Sequence, residues 1–265
     1  MNTKLFISVA VCVAASVLMS SCSKEEIDEN VAITNGQLTA VYSGHNYYMW
    51  DAAENYWSGH EWDATEAWQP KVNNDSNGNY PKSNADPRWY NEGSGAFEAS
   101  VNPLFNQLPN ANELGWYVRM GDPHWDDTTQ WEAFGTTHTG GIWLKKLSVI
   151  AQENSKTLAD FKLTDPNGKN LLTSSSDYYD YYDYYHVSPK SGKPADSEIS
   201  KYFFLPALGY YHYSQLYNLG SEGRYWSSSA TPSHSVYAYR LSFRSGDVYL
   251  GNAYRNYGFV AQPFE

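Results

Sequence analysis

Cysteine is scarce in this sequence, and its positions exclude several kinds of chemistry. Cys12 and Cys22 are the two cysteines, and both fall within the first 22 of 265 residues. The chain beyond them can form no disulfide and no cysteine-based metal site, and thiol catalysis would need Cys22 itself. Charge is also sparse, at 18% of residues, and the formal net charge is -11. An acidic chain lacks the basic footprint that phosphates require, so we expect no nucleic-acid partner.

Recognisable catalytic motifs are missing as well. The sequence has no glycine-rich phosphate loop and no nucleophile elbow, and His60-Glu61 lacks the second histidine of a zinc-protease helix. The run from Gly121 to Asp127 gathers one histidine and three aspartates, but Pro123 interrupts the spacing that ligand sets need. Acids also favour a helix amino terminus with no metal present. We therefore expect no enzyme, no metal and no cofactor.

The first 40 residues have the features of an exported, lipid-anchored protein. Lys4 precedes an apolar run from Leu5 to Met19 that is too short to span a membrane, and two serines stand before Cys22. We predict a signal peptide over residues 1–21, a lipid on Cys22 that anchors the chain to a membrane, and a flexible tether over 22–40. Ser23-Lys-Glu-Glu26 is similar to the signal that sends Bacteroidetes lipoproteins to the exterior of the outer membrane. The alternative is a plain secretory leader.

Residues 41–265 are expected to form a single domain, and its first part, 41–108, is rich in aromatic residues. Tyr47-Tyr-Met-Trp50 and Trp57 stand there among turn residues. Exposed tryptophan and tyrosine can stack on sugars or bases, but partly buried rings more often build a core. We assign these aromatic residues to the core.

Two helices and a strand are predicted in the middle of the chain. Asn110–Gly121 has apolar residues at helical spacing, a capping asparagine and a terminal glycine. Asp127–Gly135 begins with capping residues and ends on glycine in the same way. The apolar segment Gly140–Ile150 is typical of a strand.

The last forty residues predict a β-hairpin. Tyr239, Leu241 and Phe243 share one parity and Arg240, Ser242 and Arg244 the other. Because side chains alternate along a strand, this pattern favours one buried face and one solvated face. Ser245-Gly246 would turn the chain into a second strand from Asp247 to Leu250.

A tyrosine-rich segment precedes this hairpin. Asp177–His186 repeats Asp-Tyr-Tyr three times, and a period of three fits neither a helix nor a strand, so we predict a loop. Tyrosine suits a binding loop because it offers a large contact area with only two torsions to fix. A low-complexity insertion is the alternative.

Four motifs then suggest a family. They are Leu205-Pro-Ala-Leu-Gly-Tyr210, Gly223-Arg-Tyr-Trp-Ser-Ser-Ser229, Ala238-Tyr-Arg-Leu-Ser-Phe243 and Tyr257-Gly-Phe-Val-Ala-Gln-Pro-Phe264. With them the chain resembles the Fibrobacter succinogenes major paralogous domain and the C-type-lectin-like surface lipoproteins that are targets of diversity-generating retroelements. The calcium-dependent sugar motifs of C-type lectins are missing.

The resemblance implies an α+β, C-type-lectin-like fold with two helices, a small mostly antiparallel sheet and long loops. It also implies a variable ligand-binding face on the closing strands. We expect the ligand-binding residues to be Arg240, Ser242, Arg244, Asp247, Tyr249, Asn252, Tyr254 and Asn256, with Tyr181 and Tyr182 from the tyrosine-rich segment. The implied function is binding of an extracellular protein or glycan. The alternatives are a structural or adhesive surface component, such as a fimbrial tip subunit, and a carbohydrate-active enzyme.

Overall fold

The computed structural model of the protein describes most of the chain after residue 101 and parts of the chain before it. The described residues are 30–34, 37–42, 46–58, 79–83, 85–86, 88, 102–173, 185–232 and 234–264. Cys22, Tyr181 and Tyr182 lie outside them, as does nearly all of the tyrosine-rich segment. Within the described residues the fold is α+β and rich in strands, as the sequence predicts.

Three α-helices in the described part of the chain pack against one another, and the first also contacts the strands. They are α1 (Ala111–Met120), α2 (Leu147–Glu153) and α3 (Leu158–Leu163). Helix α1 confirms the helix predicted over Asn110–Gly121, with Asn110 as its cap. The Asn110 side chain accepts a hydrogen bond from the Glu113 amide, and the Glu113 side chain accepts one from the Asn110 amide. This reciprocal pairing satisfies two amides that the first helical turn leaves without partners. The other two helices were not predicted.

The strands are short, apart from three near the carboxyl end. They are β1 (Asn30–Thr34), β2 (Gln37–Tyr42), β3 (Tyr47–Tyr48), β4 (His124–Asp126), β5 (Trp131–Ala133), β6 (Thr136–His138), β7 (Gly141–Lys145), β8 (His186–Val187), β9 (Lys190–Ser191), β10 (Tyr202–Pro206), β11 (Tyr210–His212), β12 (Gln215–Tyr217), β13 (Glu222–Ala230), β14 (Tyr237–Arg244), β15 (Asp247–Tyr254) and β16 (Phe259–Val260). The described strands form a six-stranded sheet in the order β3-β16-β13-β14-β15-β8, two four-stranded sheets, and the separate hairpin β11-β12.

The six-stranded sheet is the central one, and the predicted hairpin forms its middle. Strands β14 and β15 pair antiparallel from Tyr237↔Tyr254 to Arg244↔Asp247, around the predicted turn. Tyr239, Leu241 and Phe243 are buried, as the alternation predicts. Helix α1 lies against this core side of the sheet, where the amide of Ala111 donates a hydrogen bond to Ser229 Oγ at 3.1 Å.

The predicted helix over Asp127–Gly135 is wrong. The segment holds strand β5, which pairs antiparallel with β6 through a turn at Phe134 and Gly135. Both turn residues have positive φ, 53° and 68°, as a two-residue hairpin turn requires. The glycine that suggested a helix end therefore closes a hairpin, and Trp131 is buried in the core.

The amino-terminal segments also differ from expectation. Residues expected to belong to a tether pair as strands β1 and β2, and β2 continues parallel to β5 from Ala40↔Trp131. The described fold thus begins at Asn30. Of the aromatic residues assigned to the core, Tyr47, Trp50 and Trp57 are buried, which confirms the assignment for these three, whereas Tyr48 is half-buried. The strand expected over Gly140–Ile150 ends at Lys145, and helix α2 follows.

Candidate functional site

The side of the central sheet opposite α1 carries three cross-strand rows of side chains, which we call the polar face. Its rows are Glu222, Arg244 and Asp247; then Arg224, Ser242 and Tyr249; then Trp226, Arg240 and Gly251. Directly opposed residues in antiparallel strands project to the same side, so the pairing itself brings these groups together. Five of the eight hairpin residues predicted to bind ligand lie here.

This face is less exposed than the alternation suggests. Arg240, Ser242 and Asp247 are buried, whereas Arg244 at the hairpin tip is exposed. The expectation of a solvated face is therefore wrong for those three residues. Parity predicts which side a residue takes, but not what covers that side.

A second, smaller apolar cluster lies beside Arg240, whose guanidinium carbon is 5.7 Å from the centre of the Phe259 ring. Ala238 and Ala253 continue the polar face past Arg240, and they pack with Trp226 and Phe259. Trp50, Phe105 and Leu108, from earlier in the chain, belong to the same cluster. The polar face thus changes from an apolar end to a charged end at the Ser245-Gly246 turn, where Arg244 is exposed but Glu222 and Asp247 are buried.

Two of the three arginines on the polar face are paired with carboxylates. Arg224 Nε donates to Glu222 Oε1 at 2.6 Å, and Arg244 Nε donates to Asp247 Oδ2 at 2.8 Å. Arg240 instead lies with its guanidinium carbon 5.2 Å from the centre of the Tyr249 ring, and its Nη2 is 3.3 Å from the Tyr249 hydroxyl. In the described part of the chain, Nε and Nη1 of Arg240 have no hydrogen-bond partner, and neither has Ser242 Oγ.

The remaining three predicted hairpin residues lie elsewhere. Asn252 and Tyr254 are paired with Tyr239 and Tyr237, so they project to the opposite side of the sheet from Arg240. Asn256 is in the turn that follows β15. The predicted set is therefore divided between two sides of the sheet and a turn, and it does not form one surface.

Tyr254 belongs to a second group, which we call the aromatic belt. Its members are half-buried or exposed rings joined by ring contacts: Tyr210, His212, Tyr213, Tyr217, Tyr237, Tyr254 and Tyr257. Tyr257 is central, with its ring centroid 4.1 Å from His212 and 5.8 Å from Tyr254. Tyr213 is the most exposed, at 75%.

The belt is fixed by backbone contacts between distant segments. The amide of Tyr211 donates to the Gly258 carbonyl at 2.7 Å, and the Gly258 amide donates back at 3.0 Å. This bridge docks the hairpin β11-β12 onto the turn that carries Tyr257. The buried ring of Phe259 lies beneath, 5.9 Å from the Tyr210 ring and 5.8 Å from the Tyr257 ring. The belt is therefore held on framework strands.

The belt and the polar face meet at Arg224. Its guanidinium carbon lies 3.5 Å from the centre of the Tyr210 ring, a cation–π distance, and 5.6 Å from the centre of the Phe259 ring. The two groups are therefore adjacent at Arg224 and Tyr210, whereas Tyr237 and Tyr254 of the belt project from the other side of the sheet. Most of the belt was not among the predicted site residues. The density of rings in Tyr210-Tyr-His-Tyr213 was the available signal.

The acidic run before β5 has a structural role. Asp126 is buried and accepts hydrogen bonds from Thr128 Oγ1 at 2.6 Å and from Trp143 Nε1 at 3.0 Å. Burial disfavours its charged form, but hydrogen bonds from Thr128, Thr129 and Trp143 outweigh that effect and lower the pKa of Asp126 to about 2. The helix that the acids were expected to cap is absent, and Asp126 instead organises a turn by accepting from the Thr128 and Thr129 amides.

Three further observations concern metal sites, membrane spans and similar proteins. Among the described residues, no three or more histidine, cysteine or acidic side chains are grouped as a metal site would require. No helix in that same part of the chain has the length and apolar character to cross a membrane. Comparison of the chain with known protein families, curated proteins and solved structures finds no match.

Proposed function

We propose that the protein binds an extracellular ligand through the aromatic belt and the adjoining polar face. The observation that carries this proposal is the belt itself. Its rings lie on the surface and are held by framework strands, with Arg224 beside them. Tyrosine and arginine are the side chains that most often dominate binding energy, since they combine a large contact area with polar groups.

The rest of the proposal follows the resemblance in sequence. We propose a C-type-lectin-like frame, anchored by a lipid on Cys22 to the outer membrane and facing the exterior. Replacing Cys22 with alanine should release the protein from the membrane fraction. We also propose that the closing strands are diversified by a retroelement. A reverse transcriptase gene beside a template repeat that matches the end of this gene would support that part.

Binding can be tested with full-length protein in detergent on glycan and protein arrays. Tyr213 and Tyr254 are the most exposed rings of the belt, so Tyr213→Ala with Tyr254→Ala should abolish ligand capture without unfolding the protein. Leu163→Ala is the matched control, because Leu163 is a similarly exposed apolar side chain, at 64%, on helix α3 away from the belt. Equal capture by the double variant would contradict the proposal.

The same experiment addresses the adhesive alternative. If the belt packs on one partner in a surface assembly, the native membrane extract should contain a stoichiometric complex that the double variant loses. Array binding without such a complex favours ligand capture.

A further inference from the structure

Arg240 is the one residue of the polar face whose charge has no opposite charge beside it. The adjacent row holds Arg224, whose charge is neutralised by Glu222. The row at the hairpin tip holds Arg244, whose charge is neutralised by Asp247. The neighbours of Arg240 in its own row are Trp226 and Gly251, and neither carries a charge. The face therefore carries one surplus positive charge.

This charge is also removed from water. Arg240 is only 8% exposed, and its Nε and Nη1 atoms are buried with no hydrogen-bond partner among the described residues. The hydroxyl of Ser242, in the adjacent row of the face, is buried and unpaired too. A buried cation without a counter-ion is costly, and buried polar groups in native proteins nearly always find partners. Donors left in this state indicate a place for an acceptor that the chain itself does not supply.

The surroundings favour a negatively charged acceptor. The guanidinium carbons of Arg240 and Arg224 lie 5.7 Å and 5.6 Å from the centre of the same Phe259 ring, so two positive groups flank one ring. Burial and the charge of Arg224 both lower the pKa of Arg240, although Tyr249 and Glu222 oppose this. An anion beside Arg240 would relieve both the lost hydration and the repulsion between the guanidinium groups.

We propose that Arg240 holds the carboxylate of an acidic sugar, a uronic acid, within the ligand. This inference rests on the proposed function and names the ligand class for the same surface. A guanidinium presents parallel N–H donors that match the two oxygens of a carboxylate, and Ser242 Oγ can donate a further hydrogen bond. A phosphate would bring more negative charge towards Glu222 and Asp247 on the same face.

The aromatic belt supplies the reason for a sugar. Tyr210 and Tyr257 both contact Phe259, the ring that the two arginines flank. A pyranose has an apolar C–H face that stacks on such rings and hydroxyl groups that bond to their polar edges. The Arg240 guanidinium carbon lies 5.7 Å from the centre of the Phe259 ring, and the Tyr257 ring lies 5.8 Å from it, so a carboxylate at Arg240 and a sugar ring on Tyr257 can belong to one molecule.

Tyr249 is the side chain that must move before a carboxylate can contact Arg240. Its ring lies beside Gly251, where an added Cβ would be 3.1 Å from Tyr249 Cε2 and 3.6 Å from the Arg240 guanidinium carbon. The hydroxyl contact to Arg240 Nη2 is long, at 3.3 Å, and long hydrogen bonds are weak. Tyr249 is only half-buried, so we expect its ring to rotate outward as a carboxylate takes the place of its hydroxyl.

The test uses methyl β-D-glucuronide, with methyl β-D-glucoside as its neutral counterpart, added to the full-length protein in detergent and followed by calorimetry and thermal unfolding. The glucuronide should bind and raise the Tm, and the glucoside should bind at least about tenfold more weakly, as expected from loss of a charge-assisted pair. Arg240→Met should remove this preference. Arg244→Met is the matched control, because Arg244 is on the same face but exposed and already paired with Asp247.

Arg240→Lys keeps the positive charge but loses the planar pair of donors. The variant should therefore fold, and it should bind the glucuronide more weakly than the wild type does. Equal binding of the two glycosides by the wild type would overturn the inference. If N-acetyl-aspartate amide binds more strongly than the glucuronide, the claim that the ligand is a sugar is wrong. If inorganic phosphate binds more strongly, the claim that Arg240 holds a carboxylate is wrong. If the belt double variant loses array capture while Arg240→Met keeps it, the proposed function stands and this inference fails.

Discussion

Arg255 lies fully inside the protein with its guanidinium carbon 4.8 Å from the centre of the Trp50 ring. Its Nη1 donates to the Pro81 carbonyl and its Nε donates to the Tyr237 carbonyl, each at 3.2 Å. The residue follows Tyr254 directly, so these contacts fix the turn from which Tyr254 and Tyr257 project. Arg255 and Arg240 are thus two buried arginines with opposite surroundings, one well bonded and the other poorly.

The first prediction concerns Arg255. Arg255→Met should lower the free energy of unfolding by about 2–4 kcal/mol, because the buried Pro81 carbonyl loses the Arg255 donor, the Tyr237 carbonyl keeps only the Thr231 amide, and the cation–π contact is lost. Urea unfolding followed by tryptophan fluorescence measures this. A change within roughly 0.5 kcal/mol, the range of ordinary surface substitutions, would show that the contacts are not needed for stability.

The same substitution at Arg240 should leave the free energy of unfolding unchanged or raise it. Arg240→Met removes a buried cation that lacks a counter-ion and leaves an apolar side chain of similar length beside Phe259. Replacing buried charges by apolar groups is often neutral or stabilising by about 1–4 kcal/mol. The urea midpoint should therefore stay or rise. A clear fall would mean that Arg240 is needed for the fold.

Tyr249 should titrate unusually early for a partly buried tyrosine. Burial raises its pKa, but the charge of Arg240 and its hydrogen bond, with Arg224 further away, outweigh burial and lower it, against a smaller opposing effect of Glu222. Arg240→Met should therefore raise the pKa of Tyr249. Carbon NMR of ring-labelled tyrosine across pH 8–12 would follow the titration, with Tyr249→Phe used to assign the signal. An unchanged Tyr249 titration in the arginine variant would contradict this geometry.

Gly258 should not tolerate a side chain. A Cβ there would lie 2.6 Å from Tyr56 Cδ2 and 2.7 Å from Tyr211 Cβ, within the bridge that docks the β11-β12 hairpin. Gly258→Ala should destabilise the protein by about 1–3 kcal/mol through this overlap, and it should reduce ligand capture by displacing the belt. Gly246→Ala is the control, since a Cβ there meets nothing within 4 Å. Thermal unfolding of both variants gives the comparison, and equal Tm values would refute the prediction.

Protonation of Asp126 should make the folded protein less stable in acid. The pKa of Asp126 falls from an ordinary 3.8 to about 2 in the folded protein. Asp126 therefore contributes its full stabilisation of the fold at pH values above its pKa in the unfolded chain. That contribution, about 2 kcal/mol from the size of the shift, is lost as pH falls from about 4 to 2. Urea unfolding at pH 6 and at pH 2 should show Asp126→Asn less stable than the wild type only at the higher pH. The exposed neighbour Asp127, changed to asparagine, is the control.

Local sequence signals predicted the elements whose cause is local. The capping pair of Asn110 and Glu113 lies within one turn, and the alternation from Tyr239 to Phe243 lies within one strand. The same kind of signal failed between Asp127 and Gly135, because the burial of Trp131 and its pairing with β6 outweighed the capping residues. A glycine that ends a helix and one that turns a hairpin are not distinguishable by residue type alone.

The candidate site depended on contacts that no local pattern contains. The Arg240 end of the polar face borders an apolar cluster to which Trp50 and Phe105, more than a hundred residues earlier, also belong. The aromatic belt exists because Tyr211 and Gly258 meet across the fold. Sequence reasoning therefore predicted the carboxyl-terminal strands but assigned the wrong exposure to Arg240, Ser242 and Asp247.

The short strand β8 has a practical consequence for protein engineering. It covers one margin of the central sheet by pairing His186 with Tyr249 and Val187 with Val248, and Tyr185 just before it is buried. Thr173 and Tyr185 are thus fixed ends for the eleven intervening residues, 174–184. A library of sequences grafted between these two positions would therefore begin and end on residues that belong to the described frame.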